Sequence, residues 1–91
     1  MSQKEQVRHK TEIKTQISKL NEIILFNDDV NTFDFVIEML VDVCDHTPIQ
    51  AEQCAIIVHF KGKCGVKTGT FDELEPRCTR LLEAGLSAEI V

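Results

Sequence analysis

The sequence predicts a small α+β domain in which three strands and three helices follow one another in the order β-α-α-β-α-β. The chain has 91 residues and 43% of them are hydrophobic, which is enough for a single core. Short apolar runs typical of strands alternate with longer stretches in which apolar residues recur every three or four positions. Three short strands must pair and helices must cover one of their faces, so one layered domain is expected.

The first strand is predicted at residues 21–27, where Ile23, Ile24, Leu25 and Phe26 form a β-branched and aromatic run. A continuous apolar run indicates a strand in the middle of a sheet or covered on both faces. Residues 1–19 before it are mostly polar, so we expect a flexible N-terminal extension followed by a folded domain of residues 20–91.

The first helix is predicted from about residue 32 to residue 44, with Asn31 as its N-cap. Its buried stripe is formed by Val36, Met39, Leu40 and Val43. Phe33 falls at the start of this helix, close to the acidic turn of residues 27–29. Its ring has two possible roles, which are packing in the core and lining a site.

The second helix begins with Thr47 as N-cap and Pro48 at the first helical position, and it stops at Gly62. Apolar residues lie on almost every side of it, so we expect a central and mostly buried helix. At 100° per residue, one face is shared by Ala51, Ala55, Val58 and His59. For His59 two interpretations are open: a buried histidine with its hydrogen bonds satisfied, and a histidine in a pocket.

A second strand is predicted at residues 63–69, and Thr70 then caps a third helix. Pro76 leaves two alternatives for this helix, which are a kink and a start near Glu75. A last short strand is predicted at residues 86–91.

The charge of the chain is unevenly distributed. The net charge is -5, but residues 1–20 hold five of the ten basic and only two of the fifteen acidic residues. The acidic remainder argues against nucleic acid as a ligand and favours a cationic one. The basic segment is either a solvated tail or a nucleic-acid arm, and its lack of aromatic residues and of an arginine cluster favours the tail.

No apolar run approaches the roughly 20 residues needed to span a bilayer, and the polar N-terminus is not typical of a secretory signal. We therefore expect no membrane association, a cytoplasmic location and reduced cysteines.

Catalysis and metal binding are weakly supported by the sequence. It shows no nucleophile elbow and no glycine-rich phosphate loop. Cys44, His46, Cys54, His59 and Cys64 are possible zinc ligands. However, Cys54 and His59 are five residues apart, which places them about 140° apart around a helix. We therefore expect no enzyme activity, no metal and no cofactor.

Asn27, Asp28 and Asp29 separate the first strand from the first helix. Such short polar side chains can simply build the turn by bonding nearby backbone amides. Three consecutive acceptors can also bind a small cation. Both interpretations are open from this stretch alone.

Several motifs together resemble the ClpS family, the adaptors that recognise N-terminal degradation signals for a Clp ATPase–peptidase. The resemblance covers about residues 20–91 and implies a three-stranded antiparallel sheet with three helices. In that family a mobile N-terminal extension engages the unfoldase. The motifs are Asn27-Asp28-Asp29 after a hydrophobic strand, Phe35-Val36-Ile37, and Val58-His59-Phe60-Lys61-Gly62-Lys63 followed by Cys64-Gly65-Val66.

The resemblance implies that Asn27, Asp28 and His59 bind the free α-amino group of a substrate's first residue. It also implies an apolar pocket for the first side chain, lined by Asn31, Phe33, Val36, Ala55, Val58 and Leu86. The ligands would be proteins that begin with Leu, Phe, Tyr or Trp. Because Phe33 and Ala55 stand where many family members carry methionine, Ile and Val are further candidates.

The partner implied by the resemblance is an AAA+ unfoldase of the ClpA or ClpC type with the ClpP peptidase. Glu73 matches an acidic docking position, whereas Glu75 stands where the family has a nearby lysine. We expect a monomeric adaptor. The rival interpretation is a small regulatory or metal-responsive protein-interaction domain.

Overall fold

The computed structural model describes residues 20–91, and the N-terminal extension expected for residues 1–19 lies outside the described residues. The element order is β-α-α-β-α-β, as predicted. Within the described part of the chain, no helix has both the length and the apolar character needed to cross a bilayer. The elements are β1 (Asn21–Phe26), α1 (Phe33–Cys44), α2 (Pro48–Lys61), β2 (Lys63–Gly69), α3 (Phe71–Glu83) and β3 (Ser87–Ile90).

The three strands form one antiparallel sheet in the order β2-β1-β3. The apolar run therefore occupies the central strand, as its continuity predicted. Ile23 and Leu25 alternate onto the face that the helices cover, where both are almost fully buried. They join one core with helix residues that include Leu40, Leu74 and Leu81.

All three helices begin with a threonine N-cap. Thr47 accepts a hydrogen bond from the Gln50 amide at 3.2 Å, as expected, and Thr70 caps α3 in the same way. The prediction that Asn31 caps α1 is wrong, because Thr32 Oγ1 accepts from the Phe35 amide at 3.1 Å. The side chain of Asn31 is engaged elsewhere.

Pro76 lies inside α3, which begins at Phe71 and not near Glu75. Pro76 has no N–H to donate to the carbonyl of Asp72 one turn earlier, so the helix loses one hydrogen bond. The first turn nevertheless forms, because Thr70 caps it and Leu74 is fully buried.

The end of α3 delivers Leu86 to the core. Gly85 has a φ of 94°, a conformation that favours glycine. Its amide donates to Leu82 O, and the Leu86 amide donates to Leu81 O, both at 3.0 Å. This Schellman-type turn places the buried Leu86 just before β3, which starts one residue later than predicted.

The expectation that α2 is central and mostly buried is wrong. Its buried residues are only Ala51, Ala55 and Val58. Within residues 20–91 no element covers the opposite side of α2, because the helix packs on α1 and β2 with one face only. That opposite side exposes Ile49, Ile56, Ile57 and Phe60.

The connection between α1 and α2 contacts an irregularity in the sheet. Ile23 pairs with Lys67 and Ile24 pairs with Gly65, which leaves Val66 as an extra residue in β2. The imidazole of His46 is buried, and its Nε2 lies 2.6 Å from the carbonyl oxygen of Val66. With Nε2 protonated, His46 donates this bond and ties the connection to the bulge.

Candidate functional site

A cleft of about 420 Å³ opens where the end of β1, the start of α1 and the C-terminal half of α2 meet. Nine residues predicted for the amine site and the apolar pocket all line it. The lining consists of Leu25, Phe26, Asn27, Asp28, Asp29, Asn31, Phe33, Val36, Ala55, Val58, His59 and Leu86.

The carboxylate of Asp28 organises the turn at one side of the cleft. Its Oδ1 accepts hydrogen bonds from the backbone amides of Val30 at 2.9 Å and of Asn31 at 2.8 Å. Partial burial raises the pKa of Asp28, but the bonds from Asn31 and Val30 outweigh it and hold the pKa below its ordinary value. The group is therefore an anion at neutral pH.

Asn31 links this turn to the other end of the chain. Its Nδ2 donates to Asp28 Oδ2 at 3.0 Å and to the carbonyl oxygen of Gly85 at 2.8 Å. Because Gly85 belongs to the turn that precedes Leu86, one amide side chain sets the acidic turn against the apolar side of the cleft.

Several polar groups in the cleft are not used by the protein itself. Within residues 20–91, the side chains of Asn27, Asp29 and His59 make no hydrogen bond, and Asp28 Oδ2 accepts only from Asn31. The backbone amide of Asn27 donates to Gly62 O at 2.9 Å, which fastens the turn to the end of α2. These acceptors can therefore bind a ligand with several N–H donors.

The apolar side of the cleft combines two helices and the turn before β3. Ala55 and Val58 come from the buried face of α2, and Phe33 and Val36 come from the first turn of α1. Phe33 is 43% exposed and lies outside the core cluster. Its ring therefore lines the cleft and does not pack in the core.

His59 is exposed, so the interpretation of this residue as a buried, satisfied histidine is wrong. The buried histidine is His46, whose Nε2 bonds Val66 O while its buried Nδ1 has no hydrogen-bond partner within residues 20–91. The His59 ring packs against the edge of Phe60, with ring centroids 5.0 Å apart and an interplanar angle of 81°. Its nitrogens face no competing partner within the described residues.

Three lining residues were missed when the sequence was read for site residues: Leu25, Phe26 and Asp29. Asp29 was considered as part of the turn and as one of three acceptors for a small cation, but not as a residue of the amine site. Their position in the chain could have indicated them, because all three lie within two residues of Asn27 or Asp28.

The two residues predicted for docking do not lie at the cleft. Glu73 and Glu75 are exposed near the start of α3, which follows the Gly69 end of β2. Gly69 pairs with Asn21, whereas the cleft lies beyond the other end of β1. A ligand in the cleft would leave both glutamates accessible.

Cys44 and Cys54 are not activated nucleophiles. Burial raises the pKa of Cys44 to about 11, and burial together with a hydrogen bond involving Cys64 raises that of Cys54 to about 11. Both thiols are protonated at neutral pH. Among residues 20–91, no three His, Cys, Asp or Glu side chains are grouped so as to hold a metal ion.

Comparison with known proteins agrees with the fold. The chain matches the structure of Agrobacterium tumefaciens ClpS2 bound to L-phenylalaninamide with a TM-score of 0.74 and 24% identity, covering 80% of this chain and 95% of that one. At this identity the likeness concerns the fold alone.

Sequence relatives identify the family. The ClpS adapter of Acetivibrio thermocellus is 39% identical over 72 residues, which cover 79% of this chain and 73% of the relative. ClpS 1 of Rhodopseudomonas palustris is 34% identical over 82 residues, covering 90% and 80%. The family model described as ATP-dependent Clp protease adaptor protein ClpS matches residues 16–89. The chain therefore belongs to the ClpS family, whose members are adaptors of the Clp protease and not enzymes.

Proposed function

We propose that the protein binds the first residue of polypeptides that carry a free α-amino group and a bulky hydrophobic side chain. One observation carries this proposal: polar acceptors that have no partner within residues 20–91 meet the apolar side of the same cleft. The first residue of a polypeptide has both a polar cation and an apolar group, since its ammonium and its side chain are bonded to the same Cα atom.

The ammonium group has three N–H donors and a positive charge. Asp28 Oδ2 offers a charged acceptor, the Asn27 amide offers a neutral oxygen, and His59 offers a ring nitrogen when it is neutral. Each charge-assisted bond contributes roughly 1.5–3 kcal/mol where water is excluded.

The side chain of the first residue would enter between α1 and α2. A cleft of about 420 Å³ has room for Leu, Phe, Tyr or Trp beside the amine site. Burying a Leu or Phe side chain there contributes roughly 1.5–3 kcal/mol. L-phenylalaninamide, which the structurally similar ClpS2 binds, has the same combination of a free amine and an apolar side chain.

The test is binding of fluorescent peptides that begin with Leu or Phe, measured by anisotropy beside their N-acetylated twins. We expect the free peptides to bind at least tenfold more tightly, because acetylation removes the charge and two donors. Equal affinities for the two forms would refute the assignment of the amine site.

We also propose delivery of bound substrates to a ClpA- or ClpC-type unfoldase with ClpP. The family description as a Clp protease adaptor supports this step, and Glu73 and Glu75 are exposed away from the cleft. We expect deletion of residues 1–17 to leave peptide binding intact and to impair degradation of a Leu-starting reporter. Equal degradation with full-length and truncated protein would contradict a role for that segment.

A further inference from the structure

The outer side of α2 carries an apolar patch that the proposed function does not use. It consists of Ile56, Ile57 and Phe60, which we name the outer patch. Phe60 is 79% exposed, and both isoleucines are about two-fifths exposed. Single exposed apolar residues are common, but three contiguous ones beside a cleft are typical of a binding surface.

The three side chains are contiguous because of helix geometry. Residues three and four positions apart are neighbours on a helix, so Phe60 lies next to both Ile57 and Ile56. Side chains also lean toward the N-terminus of their helix, which places the Phe60 ring over the preceding turn.

The outer patch adjoins the amine side of the cleft. The Phe60 ring contacts the His59 ring, with centroids 5.0 Å apart. The Asn27 amide donates a hydrogen bond to the carbonyl oxygen of Gly62, which follows Phe60 by two residues. This bond holds the turn of residues 27–29 close to the end of α2 that carries Phe60. The rim of the cleft therefore passes from the polar groups directly to an apolar surface.

A polypeptide whose first residue fills the cleft must leave it across this rim. Consecutive Cα atoms are 3.8 Å apart, so the second residue is still within reach of a side chain that touches His59. We propose that the outer patch, chiefly Phe60, is a subsite for the residue after the first one and favours apolar or aromatic side chains there. This inference rests on the proposed binding of N-terminal residues.

The experiment compares peptides that start with Leu and differ only in the second residue, which is Leu, Phe or Ser. In the wild type we expect about fivefold tighter binding with Leu or Phe than with Ser, the scale of a partly buried side chain. Phe60→Ser should reduce this preference to nearly one. Phe60→Leu, which keeps apolar bulk but loses the aromatic contact with His59, should retain most of it.

Ile49→Ser is the matched control. Ile49 is 73% exposed on the same side of α2, but eleven residues before Phe60 and thus about 16 Å away along the helix. This variant removes equal apolar character and should keep the wild-type preference. Circular dichroism checks the fold of each variant.

Leucinamide, which has no second residue, separates the two proposals. If it binds the wild type and the second residue makes no difference, only the subsite is refuted. The subsite is also refuted if Phe60→Ser keeps the wild-type preference for an apolar second residue, or if Ile49→Ser loses that preference to the same extent. If neither leucinamide nor any peptide binds, the proposed function fails and the subsite fails with it.

Discussion

The cleft and the connection between α1 and α2 use the same residue types in opposite ways. Each has a histidine near an aspartate. His46 is 5% exposed and bonds the bulged strand through Nε2, and Asp45 beside it pairs with Arg77 at 3.0 Å. His59 is exposed and makes no hydrogen bond within the described residues, and the Asp28 carboxylate keeps acceptor capacity on the open side of its turn.

The difference separates residues that hold the fold from residues that can bind. Burying a polar group costs free energy unless it is bonded internally, and the Nε2 of His46 makes such a bond to Val66 O. A group at an open cleft can exchange water for a ligand at little cost to folding. We therefore expect changes near His46 to lower stability and changes near His59 to lower affinity.

The largest effect on binding is expected from Asp28→Ala. It removes the charged acceptor and should weaken a Leu-starting peptide at least tenfold, with anisotropy as the measurement. Asp34→Ala is the matched control, because Asp34 is an exposed carboxylate in the first turn of α1 and does not line the cleft. Equal losses in both variants would indicate a general charge effect instead.

His46→Leu tests the other region. It removes the bond to the buried bulge, so we expect the free energy of unfolding to fall by about 1–3 kcal/mol in urea titrations. The folded protein should still bind peptide. His59→Leu should behave in the opposite way, with a stability change within about 0.5 kcal/mol and a loss of binding. Identical effects of the two substitutions would contradict the division between the regions.

Ala55→Met narrows the cleft between its polar and apolar sides. Alanine leaves room for a branched first residue, and methionine should fill that room. We expect peptides that start with Ile to lose about 1 kcal/mol more affinity than peptides that start with Leu. If the Leu-to-Ile affinity ratio is the same in both proteins, Ala55 does not limit access to the cleft.

The smallest effect concerns stability in acid. Because the folded pKa of Asp28 lies below its ordinary value of 3.8, the group stabilises the fold above that value, and this contribution is lost as pH falls through the lower folded pKa. Asp28→Asn removes the titrating group. We expect unfolding measured from pH 5 to pH 2 to show a shallower decline in this variant, and an unchanged slope would assign the decline to other carboxylates.

The sequence by itself determined the features that depend on neighbouring residues. The central strand, the caps at Thr47 and Thr70, and the stop at Gly62 were predicted from local patterns. Such signals act within a few residues, through the backbone bonds and φ angles that each residue type favours. The residues on the apolar side of the cleft were expected from the family resemblance and not from periodicity.

Only the tertiary structure decided the features that depend on which elements meet. Asn31 became a bridge to Gly85 and not a cap because Gly85, 54 residues away, offers it a carbonyl oxygen. His46 is buried where it contacts the bulge of the sheet, and His59 is exposed because it lies at the open cleft beyond the end of β1. No element of residues 20–91 covers the outer side of α2, although this side carries Ile49, Ile56, Ile57 and Phe60. Composition reports the hydrophobicity of a helix, whereas its burial depends on the partners that pack against it.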